Sequence, residues 1–212
     1  MSVDRFDRPR WQALRGALAG PHLLSEPTEE AYERVSAYLE LRATWGRVHN
    51  LGGPRALSDP RDDLLDTLCL GALLNQSLPL IDIGSGGGVP GLLLACLYPA
   101  QEITLVEPAA KRCAFLQHVA HSLSLSHVRV QRARWPHPPL AEGAPAQLVS
   151  RAVLSPLRWP AFAASTAAAE IFQYLAAERP PWPLEGYVLA GEIDYRSPTG
   201  GERLLRRWRR ED

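Results

Sequence analysis

Residues 81–91, Ile81-Asp82-Ile83-Gly84-Ser85-Gly86-Gly87-Gly88-Val89-Pro90-Gly91, decide the fold, because an apolar strand ends there and a helix opens across a glycine turn. Glycines at 84, 86 and 88 let the backbone reach positive φ and come close to a ligand. Pro90 suits the first turn of a helix, where its missing N–H would have had no partner. The spacing then selects among ligands. A dinucleotide fingerprint reads G-x-G-x-x-G, but Val89 holds the place of the third glycine and Gly88 comes one residue early, so the fit to NAD is poor.

S-adenosylmethionine offers different groups: an α-ammonium, a carboxylate, a ribose diol and an adenine. Asp82, at the carboxyl end of the strand, can accept from the ammonium, while free N–H groups of the glycine turn and helix start are expected to receive the carboxylate. About twenty residues further on, Ile103-Thr104-Leu105-Val106 reads as a second buried strand. It ends at Glu107, placed as in βαβ units to accept from both ribose hydroxyls.

Working outward, the chain has 212 residues, 46% of them hydrophobic, enough for one sizeable α/β domain. We expect a helical cap over 1–76 and a cofactor-binding domain over 77–212. The formal net charge is zero, with 23 basic and 23 acidic side chains, so there is no global basic field and any RNA surface must be local. Lys111 is the single lysine, and five arginines (Arg203, Arg206, Arg207, Arg209, Arg210) crowd the C-terminal region as a solvated tail, an edge strand or an RNA contact. Cys69, Cys96 and Cys113 are odd in number and set in apolar or helical surroundings, which argues for buried thiols rather than disulfides or zinc. No apolar run approaches the roughly 20 residues of a membrane span, and Met1–Arg10 is too polar for a signal peptide. The expectation is a cytoplasmic monomer with neither metal nor membrane attachment.

Periodicity places helices at Trp11–Leu18, from Thr28 toward Trp45, and from Asp62 to Leu74. Strand and helix then alternate: Leu80–Ile83, Pro90–Leu97, Ile103–Val106, Ala109–Leu123, Val128–Gln131 and Leu148–Ser150. This predicts a parallel, Rossmann-like sheet with helices on both faces. The alanine-rich run Ala161–Ala177 reads as a helix and Tyr187–Leu189 as the fifth strand. Glu192–Tyr195 and Leu204–Trp208 read as a hairpin over Pro198-Thr199-Gly200-Gly201.

Several motifs in this order make the chain resemble the RsmG (GidB) family of bacterial methyltransferases. Trp45 with Asn50-Leu51 is similar to the family's Trp-Asn-x-x-x-Asn-Leu-Thr, and Leu65-Asp66-Thr67-Leu68 to its Leu-Asp-Ser-Leu. The cofactor motif includes the Pro90-Gly91 extension that most methyltransferases lack. Lys111-Arg112-x-x-Phe115-Leu116 and Ser150-Arg151-Ala152-Val153 match the helix after the acidic strand end and the Ser-Arg-Ala signature. The resemblance implies a class I methyltransferase fold and methylation of guanine N7 in small-subunit (16S) ribosomal RNA. It implies Asp82, Gly84, Gly86, Gly88 and Val89 beside S-adenosylmethionine, Glu107 at the ribose, Arg134 and Trp135 near the adenine, and Arg151 lining the site as cofactor contact and catalytic residue. Departures are Asp62-Asp63 in place of Arg-His, Trp135-Pro136 in place of Ala-Glu, and Ala190-Gly191 in place of Lys-Gly. Two other readings stay open, a non-catalytic descendant that binds cofactor or RNA, and a small-molecule methyltransferase.

The chemistry constrains the residues further. Guanine N7 carries a free lone pair and needs no general base, so the lack of a His-Asp or Glu dyad is consistent with the reaction. No cysteine lies on a plausible catalytic loop for cytosine-C5 transfer. Arg179-Pro180-Pro181-Trp182 comes too late, and begins with the wrong residue, for an adenine-N6 motif. His118, His121 and His127 lack ligand spacing and read as helix-surface residues.

Overall fold

The structure is a computed structural model that describes residues 7–16, 26–47, 51, 57–134, 145–151, 153–155, 158–166, 168–176 and 184–211. The expected Trp11–Leu18 helix is α1 (Arg8–Gly16), starting earlier because the Asp7 carboxylate accepts from the Arg10 N–H at 3.1 Å. Thr28 caps α2 (Glu29–Gly46) by accepting from the Ala31 N–H at 3.3 Å, with Glu29 and Glu30 in the favourable first turn. This helix buries Tyr32, Val35, Tyr38 and Leu39, and on the same side Arg42. Next comes α3 (Arg61–Leu73), which carries Asp62 and Asp63 in its first turn and buries Leu64, Leu65 and Leu68.

Seven strands follow: β1 (Leu80–Ile83), β2 (Ile103–Val106), β3 (Val128–Gln131), β4 (Gln147–Ser150), β5 (Glu170–Leu175), β6 (Tyr187–Arg196) and β7 (Glu202–Arg210). They form one sheet in the order β3-β2-β1-β4-β5-β7-β6. The first five are parallel, with Leu80 opposite Ile103 on one side and Gln147 on the other. Between β5 and β6 lies β7, antiparallel to both, so the predicted hairpin joins the parallel strands and makes one mixed sheet. The arginine-rich segment is therefore an interior strand, neither a tail nor an edge.

Pleating divides the core. Leu80, Ile103, Leu105, Val149 and Phe172 face Trp11, Tyr32, Leu65, Leu92 and Phe115, which come from α1, α2, α3, α4 (Gly91–Leu97) and α5 (Ala110–Ser122). Ile83, Val106, Leu148 and Ile171 face the other way, with Trp159, Ala163 and Trp208 over them. Trp159 and Ala163 belong to α6 (Trp159–Ala164), whose indole N–H donates to the Phe172 carbonyl at 2.6 Å.

The expected Ala161–Ala177 helix stops at Ala164, and β5 occupies Glu170–Leu175. Alanine favours a helix in isolation, but Ile171, Phe172 and Leu175 are buried in the sheet, and tertiary packing overrides propensity. The fifth strand is thus β5. Tyr187–Leu189 opens the ten-residue outer strand β6, whose register shifts between Leu189 and Gly191. Ala176 follows the fifth strand, and Ala190 lies at that irregularity. The hairpin over 198–201 is present, closed by the Ser197 N–H on the Gly201 carbonyl at 2.9 Å. Among the described residues no helix is long and apolar enough to cross a membrane.

Candidate functional site

The strand order reverses between β1 and β4: from β1 the chain proceeds outward to β2 and β3, then returns to place β4 on the opposite side. In open α/β sheets the crevice outside the carboxyl ends of such strands is where ligands bind. Residues 84–90 lie at that end of β1, and Arg151 directly follows β4.

Backbone φ is +72° at Gly84, +55° at Gly86 and +90° at Gly88, as their spacing predicts. A Cβ on Gly84 would collide with Cγ2 of Val153, a half-exposed side chain on the segment after β4, and the positive φ disfavours a side chain there in any case. The turn is bonded from within. Gly84 and Ser85 donate to the Val106 carbonyl at 2.7 and 3.2 Å, Gly88 to the Ser85 carbonyl at 2.7 Å, and Gly86 to Glu107 Oε2 at 3.0 Å. Gly91 donates to Asp82 Oδ2 at 3.0 Å. These five amides, expected to be free for a ligand carboxylate, are already paired inside the protein.

Of the buried side-chain atoms that lack a partner among the described residues, two lie at this crevice. Asp82 is 1% exposed, and its Oδ1 has no hydrogen-bond partner among the described residues. Burial pushes its carboxyl up to about 7, against the lowering influence of the Gly91 N–H, the Ser85 side chain and the nearby Arg151. Arg151 Nη1 is likewise buried and without a partner. The other two guanidinium nitrogens are occupied: Nη2 lies 2.5 Å from Asp63 Oδ1 and Nε 3.5 Å from Asp66 Oδ2. Burial disfavours the charged guanidinium, but the two carboxylates outweigh it and hold its pKa above the usual value. One vacant acceptor and one vacant donor beside β1 and β4 match the ammonium and carboxylate of an α-amino acid.

Behind them lies an ion network that sequence reading misses. Asp63 Oδ2 accepts from Arg42 Nη1 at 2.6 Å, with side-chain exposures of 2% and 6%. Asp66 accepts from Arg203 Nη1 at 2.8 Å and from the Tyr195 hydroxyl at 2.7 Å, and its carboxyl is raised because burial outweighs these partners. Asp62 takes Arg203 Nη2 at 3.1 Å, the Ser197 hydroxyl at 2.7 Å and the Thr199 hydroxyl; these bonds outweigh partial burial and lower its pKa. Tyr38, four residues before Arg42 on α2, donates to the Gly87 carbonyl at 2.8 Å. A signal was present in the sequence, because an arginine three residues after Leu39 falls on the apolar face of α2 and needs a buried anion.

Glu107, at the carboxyl end of β2, is 2% exposed and accepts from Gly86 and Ala109 N–H at 3.0 and 2.9 Å, leaving each oxygen one further lone pair. Val89 is half-buried against the core, Arg134 is exposed after β3, and Trp135 lies outside the described residues. Asn50, Ala152 and Pro136 lie outside them too. His118 and His121 are on the exposed side of α5, whereas His127 Nε2 meets the Ala95 carbonyl at 3.2 Å. All three cysteines are buried free thiols. No cluster of metal-ligating side chains exists among the described residues.

The family model GidB, rRNA small subunit methyltransferase G, matches residues 31–165. A Ribosomal RNA small subunit methyltransferase G of Dichelobacter nodosus is 39% identical over 57% of this chain and 56% of its own length. One from an Anaeromyxobacter species is 38% identical over 69% of this chain and 68% of its own. The chain thus spans little more than half the length of the first of these relatives. Among solved structures, TYW2 of M. jannaschii in complex with AdoMet superposes with a TM-score of 0.53 at 14% identity, covering 71% of this chain and 77% of that one. The shared architecture is the Rossmann-like sheet of class I methyltransferases.

Proposed function

Because this chain belongs to the GidB family of rRNA small subunit methyltransferase G proteins, we propose that it transfers a methyl group from S-adenosylmethionine to N7 of a guanine in small-subunit ribosomal RNA. The observation that carries the reading is the pair of vacant buried atoms, Asp82 Oδ1 and Arg151 Nη1, beside a glycine turn at the switch point of the sheet. Asp82 accepts from the cofactor ammonium, Arg151 donates to its carboxylate, and Glu107 accepts from the ribose hydroxyls with its remaining lone pairs.

When bound, the cofactor supplies an electrophilic methyl on a sulfonium, so the C–S pair leaves with sulfur as the N7 lone pair forms the new C–N bond. The protein has no proton to remove. Its contribution is to hold two reactants in line and keep the amino-acid end of the cofactor fixed by charge. Lys111, Arg132 and Arg134 are exposed near the carboxyl ends of β2 and β3, where phosphates of an RNA strand can be met. An RNA substrate also places the protein in the cytoplasm, with the ribosome.

The deciding experiment incubates the purified protein with labelled S-adenosylmethionine and small ribosomal subunits lacking 7-methylguanosine, then analyses the nucleosides by mass spectrometry. The expected result is 7-methylguanosine. Cofactor binding without transfer to RNA would replace the proposal with a non-catalytic or small-molecule reading.

Asp82 gives the cofactor affinity a pH dependence of definite sign. Its carboxyl titrates near 7 in the free protein, and only the anion pairs with an ammonium. Affinity for S-adenosylhomocysteine, which keeps the amino-acid end, is expected to level off above about pH 8 and to bend near pH 7. Below it, affinity should fall by up to about tenfold per pH unit, one proton being displaced on binding. Asp82→Asn should weaken binding at pH 8 and flatten the profile. A wild-type profile that stays flat from pH 8 to pH 5.5 in calorimetry would remove Asp82 from the ammonium site.

A further inference from the structure

We propose that Asp63 is a positioning residue for Arg151, held in that role by Arg42, so that helix α2 acts on Arg151 through a single buried carboxylate. The inference rests on the reading that Arg151 Nη1 meets the cofactor carboxylate.

The geometry is that of a relay with no slack. A guanidinium is planar, so fixing two of its three nitrogens fixes the direction of the third. Asp63 Oδ1 holds Nη2 at 2.5 Å, and Asp66 reaches Nε at the longer 3.5 Å. Asp63 is therefore the tighter of the two constraints. Its second oxygen is taken by Arg42 Nη1 at 2.6 Å, which orients the carboxylate itself. Arg42 in turn sits on α2 with Tyr38, whose hydroxyl grips the Gly87 carbonyl at 2.8 Å, so one helix face holds both the glycine turn and the acid behind Arg151.

Charge balance explains why three arginines are needed. Asp62, Asp63 and Asp66 all lie within the first turns of α3, and Asp63 and Asp66 are almost wholly buried. Arg203 serves Asp62 and Asp66. Without Arg42, Asp63 would depend on Arg151 alone, and the guanidinium would be drawn back into the acidic helix. With Arg42 in place, Asp63 is shared, and Arg151 keeps one donor unspent. Arg42 and Arg207 also keep a buried Nε without a partner, so it is the place of Arg151 Nη1, next to Asp82 and the glycine turn, that points to a ligand.

The test compares two ligands by calorimetry. S-adenosylhomocysteine carries the amino-acid end; methylthioadenosine keeps the nucleoside and sulfur but has no carboxylate. Asp63→Asn is expected to weaken S-adenosylhomocysteine about tenfold, the loss of one well-oriented charge-assisted contact, and to leave methylthioadenosine within about twofold. Arg151→Met should weaken the first ligand at least as much, and adding Asp63→Asn to it should cause no further loss, because one residue acts through the other. If Asp63→Asn alone fails to fold, Arg42→Gln with Asp63→Asn supplies a neutral hydrogen-bonded pair, and the same comparison is made in that background.

Equal weakening of both ligands, or losses that add in the double variant, would overturn the positioning role. If Arg151→Met weakens both ligands equally or neither, the reading of Arg151 as the carboxylate's partner falls instead, a result distinct from failure of Asp63.

Discussion

Gly91→Ala is expected to abolish cofactor binding and to lower the stability of the protein by about 3 kcal/mol, the upper end of what one added methyl costs in a packed interior. A Cβ there would lie 2.6 Å from Asp82 Oδ2, 2.6 Å from Leu105 Cδ2 and 2.8 Å from Asp82 Cβ. Leu105 and Asp82 are themselves buried and have little room to yield, and the Gly91 N–H is a donor that fixes Asp82. The helix must move away from the sheet or the carboxylate must turn, and both displace the vacant Oδ1. Loss of melting temperature should be roughly 6–12 °C for a chain of this size. Gly200→Ala is the control. Its Cβ meets nothing within 4 Å, but its φ of +107° costs a side chain on the order of 1–2 kcal/mol, so stability falls somewhat while binding does not. Retained affinity in Gly91→Ala would mean that Asp82 plays no part in holding the ligand.

The second large effect concerns the C-terminal arginines. Arg207→Met is expected to cost about 3 kcal/mol, because Arg207 Nη2 lies 2.6 Å from Glu170 Oε1 and Nη1 donates to the Leu73 carbonyl at 3.0 Å. The Glu170 side chain is 3% exposed and would be left as a buried, unpaired anion. Arg209→Met, two residues on at an exposed position, should stay within about 0.5 kcal/mol. Combining Arg207→Met with Glu170→Leu should restore most of the loss, since removing both charges removes the desolvation penalty. Chemical denaturation of the three variants measures this. Equal, small effects of Arg207→Met and Arg209→Met would return the whole cluster to the surface role that composition suggests.

The parts of this molecule legible in the sequence are those whose cause is local. The glycine turn follows from its own residues, the short apolar strands from their composition, and the Thr28 cap from one side chain and the amide three residues later. What the sequence conceals depends on partners far along the chain. The alanines before Ile171 favour a helix until β4 and β7 offer pairing on either side. Asp62 and Asp63 read as departures from a family pattern, yet each is a counter-ion, Asp63 to Arg42 and Arg151 and Asp62 to Arg203. The amides of the turn read as free donors, but Val106 and Glu107, from the neighbouring strand and its end, consume them. An ion pair has no periodicity, and no spacing rule announces it.

The insertion of β7 between β5 and β6 bears on how the protein is made. Without β7 the chain holds two strands that cannot pair with each other in their final places, and a glutamate, Glu170, that lacks its cation. The sheet closes when residues 202–210, paired with β6 as a hairpin, add to the free edge of β5. Until then the open edges of β5 and β6 are templates for wrong pairing. A chain that stopped before β7 would therefore keep both of those edges open and leave Glu170 without its cation.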